Sequence, residues 1–249
     1  MNLFFIEVGG IQLNEKPRFS WKDIIIALII PFELLMGEVI NKLAITNNPI
    51  LGSVVTLLIF FSGFLVAVLF RKDVLKADFR MYKKHFFKNF GISLLGALLF
   101  GLIVMGGRYL LDQSQAASSL SVDYAAVGWN NVAVLAVPLL VSGMIPLMAA
   151  FTEEIIFRYT FFYKWSNNKG LRFLMWGVSS ILFGLAHYNN YSTTPLYMIP
   201  LMIAGFMLAG LYYWKKNIWI PIFAHFIYNG ALSTIPAIFV LVVQLMQGT

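Results

Sequence analysis

The sequence predicts an all-α fold, a polytopic transmembrane bundle of about seven to eight helices. The first observation is composition. Of 249 residues, 59% are hydrophobic and 12% are charged, and the mean hydropathy is +0.78. A soluble domain carries roughly twice that share of charge, about 25%. The second is that the apolar residues fall in runs of spanning length, since about 20 helical residues cross the hydrocarbon core. The third is that the basic residues collect between alternate runs. These features leave no room for a large soluble domain. The net charge of +7 reads as the loop charge that orients membrane proteins, and no nucleic-acid partner is expected. With no cysteine in the chain, disulfide and thiolate chemistry are excluded.

Residues 1–22 read as an N-terminal cytoplasmic or interfacial segment. Its M-N-L-F-F-I-E-V-G-G-I-Q-L start lacks the basic region and small-residue cleavage site of a signal peptide. Residues 23–249 read as a single transmembrane helical domain. The first span covers about 23–42 and contains Pro31, Glu33 and Glu38. The second covers about 50–70 and is followed by a basic loop at 71–89. The third, about 90–111, carries Gly91, Gly96, Gly101, Gly106 and Gly107, small residues of the kind that let membrane helices approach closely. A loop at 112–130 has no Lys or Arg. A fourth segment runs from Asn131 to about Trp165, a fifth from 171 to 188, a sixth from 196 to 213 and a seventh from 218 to 233. Pro236 opens a last apolar stretch, 236–247, that spans or lies half-buried.

Of the 18 Lys and Arg residues, all but Lys42, Arg108 and Arg158 fall on one side of this arrangement. The positive-inside rule places that side, with the N-terminus, in the cytoplasm. The richness in Ile, Phe, Lys and Asn points to a bacterial plasma membrane.

The chemistry-bearing residues lie in the C-terminal half. Phe151 to Arg158 reads F-T-E-E-I-I-F-R, and no charge separates Asp123 from Glu153. Each such charge in a spanning helix costs roughly 2.5–3.5 kcal/mol, and each Leu, Ile or Phe returns only about 0.3–0.6. Three charges are not kept there without partners or a task. Glu154 and Arg158 are four apart and face each other. Glu153 points about 100° away and is the carboxylate left free. Two further pairs sit at the same spacing, Phe183 with His187 in F-G-L-A-H, and His225 with Asn229 in H-F-I-Y-N. Counting about 1.5 Å per residue puts Glu153 and His225 at similar depth. His187 comes out about 8 Å too deep for straight helices, a tension that helix tilt or a kink at Pro138 or Pro146 could absorb.

These three motifs, in this order, resemble the CPBP family of CAAX prenyl proteases and bacteriocin-processing (Abi) enzymes, whose pattern is E-E-x-x-x-R, F-x-x-x-H and H-x-x-x-N. The resemblance covers about 150–230, within an active-site half at about 130–233. Tyr159 stands where many members have glycine. A desolvated carboxylate suits general-base work near neutral pH, so Glu153 with His187 on one water, Glu154 with Arg158 holding the helix and the field, and His225 with Asn229 as oxyanion donors form the catalytic set. The resemblance implies the same assignment for His187 and for the His225–Asn229 pair. It also implies a membrane-associated peptide or prenylated substrate in the bilayer. No cofactor is expected. Zinc on Glu153, His187 and His225 stays open, although no H-E-x-x-H motif is present.

Each residue also has a structural reading. Glu154–Arg158 is a buried ion pair on that view, Asn229 interhelical glue and Phe183 packing, and His85 is a solvated loop residue. Glu33 and Glu38 either line a cavity or face the outer interface. Two further functions compete. A proton-coupled transporter would use the same Glu and His residues as a relay, but it predicts inverted repeats that the sequence lacks. A non-catalytic immunity or scaffold protein would retain the site without turnover. The topology has a direct check, because the chain has no cysteine of its own. A single cysteine in 71–89 should label only after permeabilisation of the cell, and labelling of intact cells from outside would reverse the orientation.

Overall fold

Prolines and short polar side chains decide where the rods begin and break. The computed structural model describes residues 6–8, 11–13, 20–111, 129–188 and 195–246. The loops expected at 112–130, without Lys or Arg, and at 189–195, without charge, thus lie largely outside the described residues, as do Lys16 and Arg18. Helix α1 (Trp21–Ala27) opens with a capping box in which Ser20 and Asp23 satisfy each other's backbone N–H. It stops at Ala27 because Pro31, four residues on, has no N–H for the Ala27 carbonyl and its ring collides with it. Helix α2 (Ile29–Lys42) follows, so the expected single span at 23–42 is two helices. Helix α3 (Pro49–Phe70) has proline at its first position and the Asn48 side chain on the Leu51 N–H at 3.1 Å.

The stretch 71–89, expected as a loop, instead forms helix α4 (Lys72–Lys84). Val74, Leu75, Asp78 and Tyr82 are buried, three to four residues apart. The lysines turn outward, which makes α4 an amphipathic helix. After it come α5 (Phe86–Leu111), α6 (Trp129–Glu153), α7 (Lys169–Leu185), α8 (Ile199–Lys215), α9 (Trp219–Asn229) and α10 (Ile235–Met246). Lys216, in the left-handed region at φ 48°, ends α8 and allows the immediate turn into α9. The segments expected separately at 218–233 and 236–247 form one rod, joined through a π-helical turn at Gly230–Thr234. Pro236 cannot donate to the Leu232 carbonyl, and the wider turn takes up the mismatch. Ahead of the helices, Ile6–Val8 and Ile11–Leu13 pair as a short antiparallel hairpin, which the all-helical expectation did not include.

Among the described residues, five segments are long and apolar enough to cross a membrane: Pro49–Phe70, Phe86–Leu111, Ala136–Trp165, Leu196–Lys215 and Trp219–Met246. The surface supports that reading. Leu58, Leu98, Leu102 and Phe239 point outward, while Glu154, Arg158, Thr160 and Ser179 are buried. An apolar exterior around a polar interior is what a lipid solvent selects. The chain is an integral membrane protein with an all-α bundle.

Packing brings α3 against α6, α5 against α9, and α7 against α8. The last crossing closes because side chains are missing from it. A Cβ on Gly184 would lie 2.4 Å from Met202, and one on Gly205 would lie 3.0 Å from Phe183. In the glycine series of α5, Gly96 and Gly107 are tight against Leu211 and Pro200, whereas Gly91 and Gly106 face open space.

The basic ends do converge on one end of the bundle. Asp23 accepts from Arg71 and, at 2.6 Å, from Lys164, and all three side chains are buried. Nearby in sequence, α4 clamps the α8–α9 turn. Asp78 Oδ2 accepts from the Ile218 N–H at 2.8 Å, and Trp219 Nε1 donates to the Leu75 carbonyl at 2.8 Å.

Burial pushes the Asp78 carboxyl up to about 7, against the opposing pull of the Ile218 N–H. The folded protein therefore keeps a proton that the unfolded chain has released. Stability from this group is complete below about pH 4, falls as pH rises to about 7, and is level above that. Asp78→Asn keeps an acceptor for Ile218. It should flatten the fall in melting temperature across that window and melt higher than wild type at pH 8 in detergent. Parallel melting curves for the two proteins would assign the slope to another group.

Candidate active site

The site is built where α6 changes its winding. Pro138 and Pro146 lie inside α6, which ends at Glu153, and residues Glu154–Phe162 continue as a π-helix. Wide turns of this kind leave backbone carbonyls to be served from outside. Here Ser179 Oγ on α7 donates to the Phe157 carbonyl at 2.6 Å. The junction also separates the two adjacent glutamates. Glu154 turns into the protein and is fully buried, whereas the Glu153 side chain is 14% exposed and lines a cavity of about 310 Å³.

Glu154 joins two partners. Its Oε2 lies 3.1 Å from Arg158 Nε, an ion-pair contact whose angles fall short of a hydrogen bond. Its Oε1 meets His225 Nδ1 at 2.9 Å. The Arg158 guanidinium lies over the Phe183 ring, 4.1 Å from its centroid. Phe183 also meets the rings of His187 at 5.0 Å and His225 at 5.7 Å. The phenylalanine of F-G-L-A-H is thus the surface on which the arginine and both histidines rest.

Both histidines face Glu153. His187 Nε2 lies 3.7 Å from Glu153 Oε2, and His225 Nε2 lies 3.9 Å from the same oxygen. That oxygen is buried and has no hydrogen-bond partner. His187 Nδ1 is 2.8 Å from the Phe183 carbonyl. A carbonyl only accepts, so Nδ1 carries the proton and a neutral ring presents a lone pair at Nε2. His187 meets Glu153 from the turn just past α7, which runs unbroken from Lys169 to Leu185.

Asn229 is placed differently. It sits one turn beyond His225, and its Nδ2 donates to the Pro146 carbonyl at 2.7 Å. Ser233 and Thr234 add hydroxyl contacts to the Gly143 carbonyl at 3.3 and 2.7 Å. The wide turn after α9 is thereby tied to α6. The structure thus brings Glu153, Glu154, His187 and His225 to one point, backs them with Arg158, and leaves Asn229 on the adjoining backbone.

Glu33, ambiguous in sequence, lines the same cavity, and so does Glu38.

Metal fit can be judged from the donors. A tetrahedral zinc about 2.0–2.1 Å from each ligand needs ligand atoms about 3.3 Å apart. The Glu153–His187 and Glu153–His225 separations of 3.7 and 3.9 Å are wider. Among the described residues no group of three His, Cys, Asp or Glu has metal-holding geometry.

A bundle with an apolar exterior and a Glu–His cluster at one cavity defines an integral membrane protein with a polar site inside its bundle. Comparison with known proteins narrows the class. Residues 134–231 match the family described as type II CAAX prenyl endopeptidase, Rce1-like. The chain is 30% identical over 183 residues to the Bacillus subtilis (strain 168) protein named "Putative membrane peptidase YdiL", an alignment that covers 68% of this chain and 66% of that protein. No solved structure matches the chain. The chain belongs to the CPBP (CAAX protease) family.

The buried pair yields a stability test. Arg158→Ala leaves Glu154 without its guanidinium in the bundle interior, a loss on the order of 3–5 kcal/mol, and folded yield in detergent should drop sharply. Adding Glu154→Gln removes the stranded charge and should restore part of that yield. Equal yields for the single and double variants would show that the pair is not what holds this helix.

Proposed function

We propose that the protein is an intramembrane endopeptidase that hydrolyses a peptide bond in a membrane-associated peptide, using water activated by a carboxylate. The observation that carries this reading is Glu153 Oε2, buried, unpartnered, facing the Nε2 atoms of two histidines and bordering a cavity. Family membership supports the reaction class.

In this mechanism a water sits between Glu153 and the His187 Nε2 lone pair. Glu153 takes its proton as the oxygen attacks the scissile carbonyl. The same carboxyl then returns the proton to the leaving amine nitrogen as the tetrahedral intermediate collapses. The developing oxyanion is held by donors from His225 and Asn229. His225 donates from Nε2 only when its ring carries both protons, with Glu154 accepting from Nδ1. Asn229 donates with the N–H not held by Pro146. Glu154 and Arg158 do not touch substrate; they fix the His225 ring and the turn that carries Glu153. The orientation proposed for the chain places the basic end of the bundle, with α4, in the cytoplasm.

Glu153→Gln should keep the fold and abolish cleavage in proteoliposomes, because the amide still hydrogen-bonds but cannot take a proton from water. His187→Ala should be similarly inactive. Asn229→Ala should be slowed by about 10²–10³, the usual loss for one oxyanion donor. A uniform loss of folded protein would mark all three as packing groups. Stoichiometric zinc in the purified protein, with activity lost on chelation and restored by zinc, would replace the carboxylate mechanism with a metal one.

A further inference from the structure

Of the catalytic groups proposed above, Glu153 and His187 line the cavity. Most of the rest of its wall comes from α2, which presents Glu33, Gly37, Glu38 and Asn41 to the same space. These α2 positions are four, one and three residues apart, so they run along one helix face. The rise from Glu33 to Asn41 is about 12 Å, the length of about three to four extended residues. Among the described residues, no Lys or Arg lines the cavity. Lys42 reaches Glu38 only at 4.0 Å, with both side chains largely exposed to solvent.

Glu33 sets this wall apart from an ordinary acidic surface. Its residue exposure is 8% and its Oε1 is buried with no hydrogen-bond partner. It fits only because α3 has a glycine opposite, since a Cβ on Gly63 would stand 2.5 Å from Glu33 Oε1. A carboxylate held this deep accepts strongly from a charged donor, and among the described residues none is placed on it. One turn further out, a Cβ on Gly37 would meet nothing within 4 Å. The helix surface there is a bare floor over which a peptide backbone can pass.

Resting on the peptidase reading, we infer that this groove along α2 is a substrate subsite for a basic residue, in which Glu33 receives a Lys or Arg side chain of the peptide bound at Glu153. Glu38 marks the groove's outer end and adds attraction for the same charge. Gly37 leaves room for the peptide chain. A transported cation would need no such floor, and a neutral peptide would leave the Glu33 carboxylate unsatisfied.

The test uses protein that cannot turn over. Glu153→Gln protein in neutral detergent is titrated into two fluorescein-labelled hexapeptide amides, Ala-Leu-Arg-Leu-Ala-Leu and the same peptide with citrulline replacing arginine, and binding is read by fluorescence polarisation. Citrulline keeps the shape and removes the charge. The arginine peptide should bind at least about ten-fold more tightly at low salt, and adding Glu33→Gln should abolish that ratio. Gly37→Leu, which fills open space, should weaken both peptides by about ten-fold or more. Equal binding of the two peptides, a preference that survives Glu33→Gln, or no binding of either peptide would overturn the subsite. Wild-type protein that shows the preference yet cuts no peptide would remove the peptidase reading alone. Cleavage that ignores charge near the scissile bond would remove the subsite alone.

Discussion

A charge inside an apolar bundle must be answered within the bundle, and Glu154 is where this protein answers it. One carboxylate oxygen meets Arg158 and the other meets His225. Arg158 in turn lies on the Phe183 ring, which α7 holds against α8 through Gly184 and Gly205. Four separate stretches of chain are thus tied to one carboxylate. If that link is lost, an uncompensated charge remains in a low-dielectric interior, where removing one partner of a pair is far more damaging than never having had the pair. The same link fixes the ring of His225 and the turn that aims Glu153.

The winding of α6 belongs to this constraint. A regular helix would place Glu153 and Glu154 about 100° apart in any context. What matters is that one of these directions leads to the cavity and the other to Arg158 and His225. The π-helical stretch after Glu153 lets the helix meet both demands, and Ser179 takes up a carbonyl contact that the wider turn requires. A comparable wide turn after Asn229 faces α6 and is tied to the Gly143 carbonyl through Ser233 and Thr234. Irregular winding is tolerated at membrane depth where neighbouring helices satisfy the backbone, and both wide turns here are served in that way.

At the other end of the bundle the same logic uses soluble-protein chemistry. Asp23 gathers Arg71 and Lys164, and Asp78 holds the start of α9. These contacts fasten α1 and α4 to the spanning helices.

The sequence alone determined the class of fold, because apolar runs of spanning length admit little else in lipid, and it determined which residues could form the site. Glu154 and Arg158 were legible because i,i+4 spacing is a property of one helix. The three motifs were legible because each lies within a single turn. Tertiary structure decided everything that depends on two segments meeting. It set His187, just past the end of α7, against Glu153. It turned 71–89 into a packed amphipathic helix and gave Asn229 to the Pro146 carbonyl. It also made Glu33 part of the cavity, which no local pattern indicates. Hydrophobic periodicity reports how a helix faces its surroundings. It does not report which helix lies opposite, and the partners of a buried charge are set by that choice.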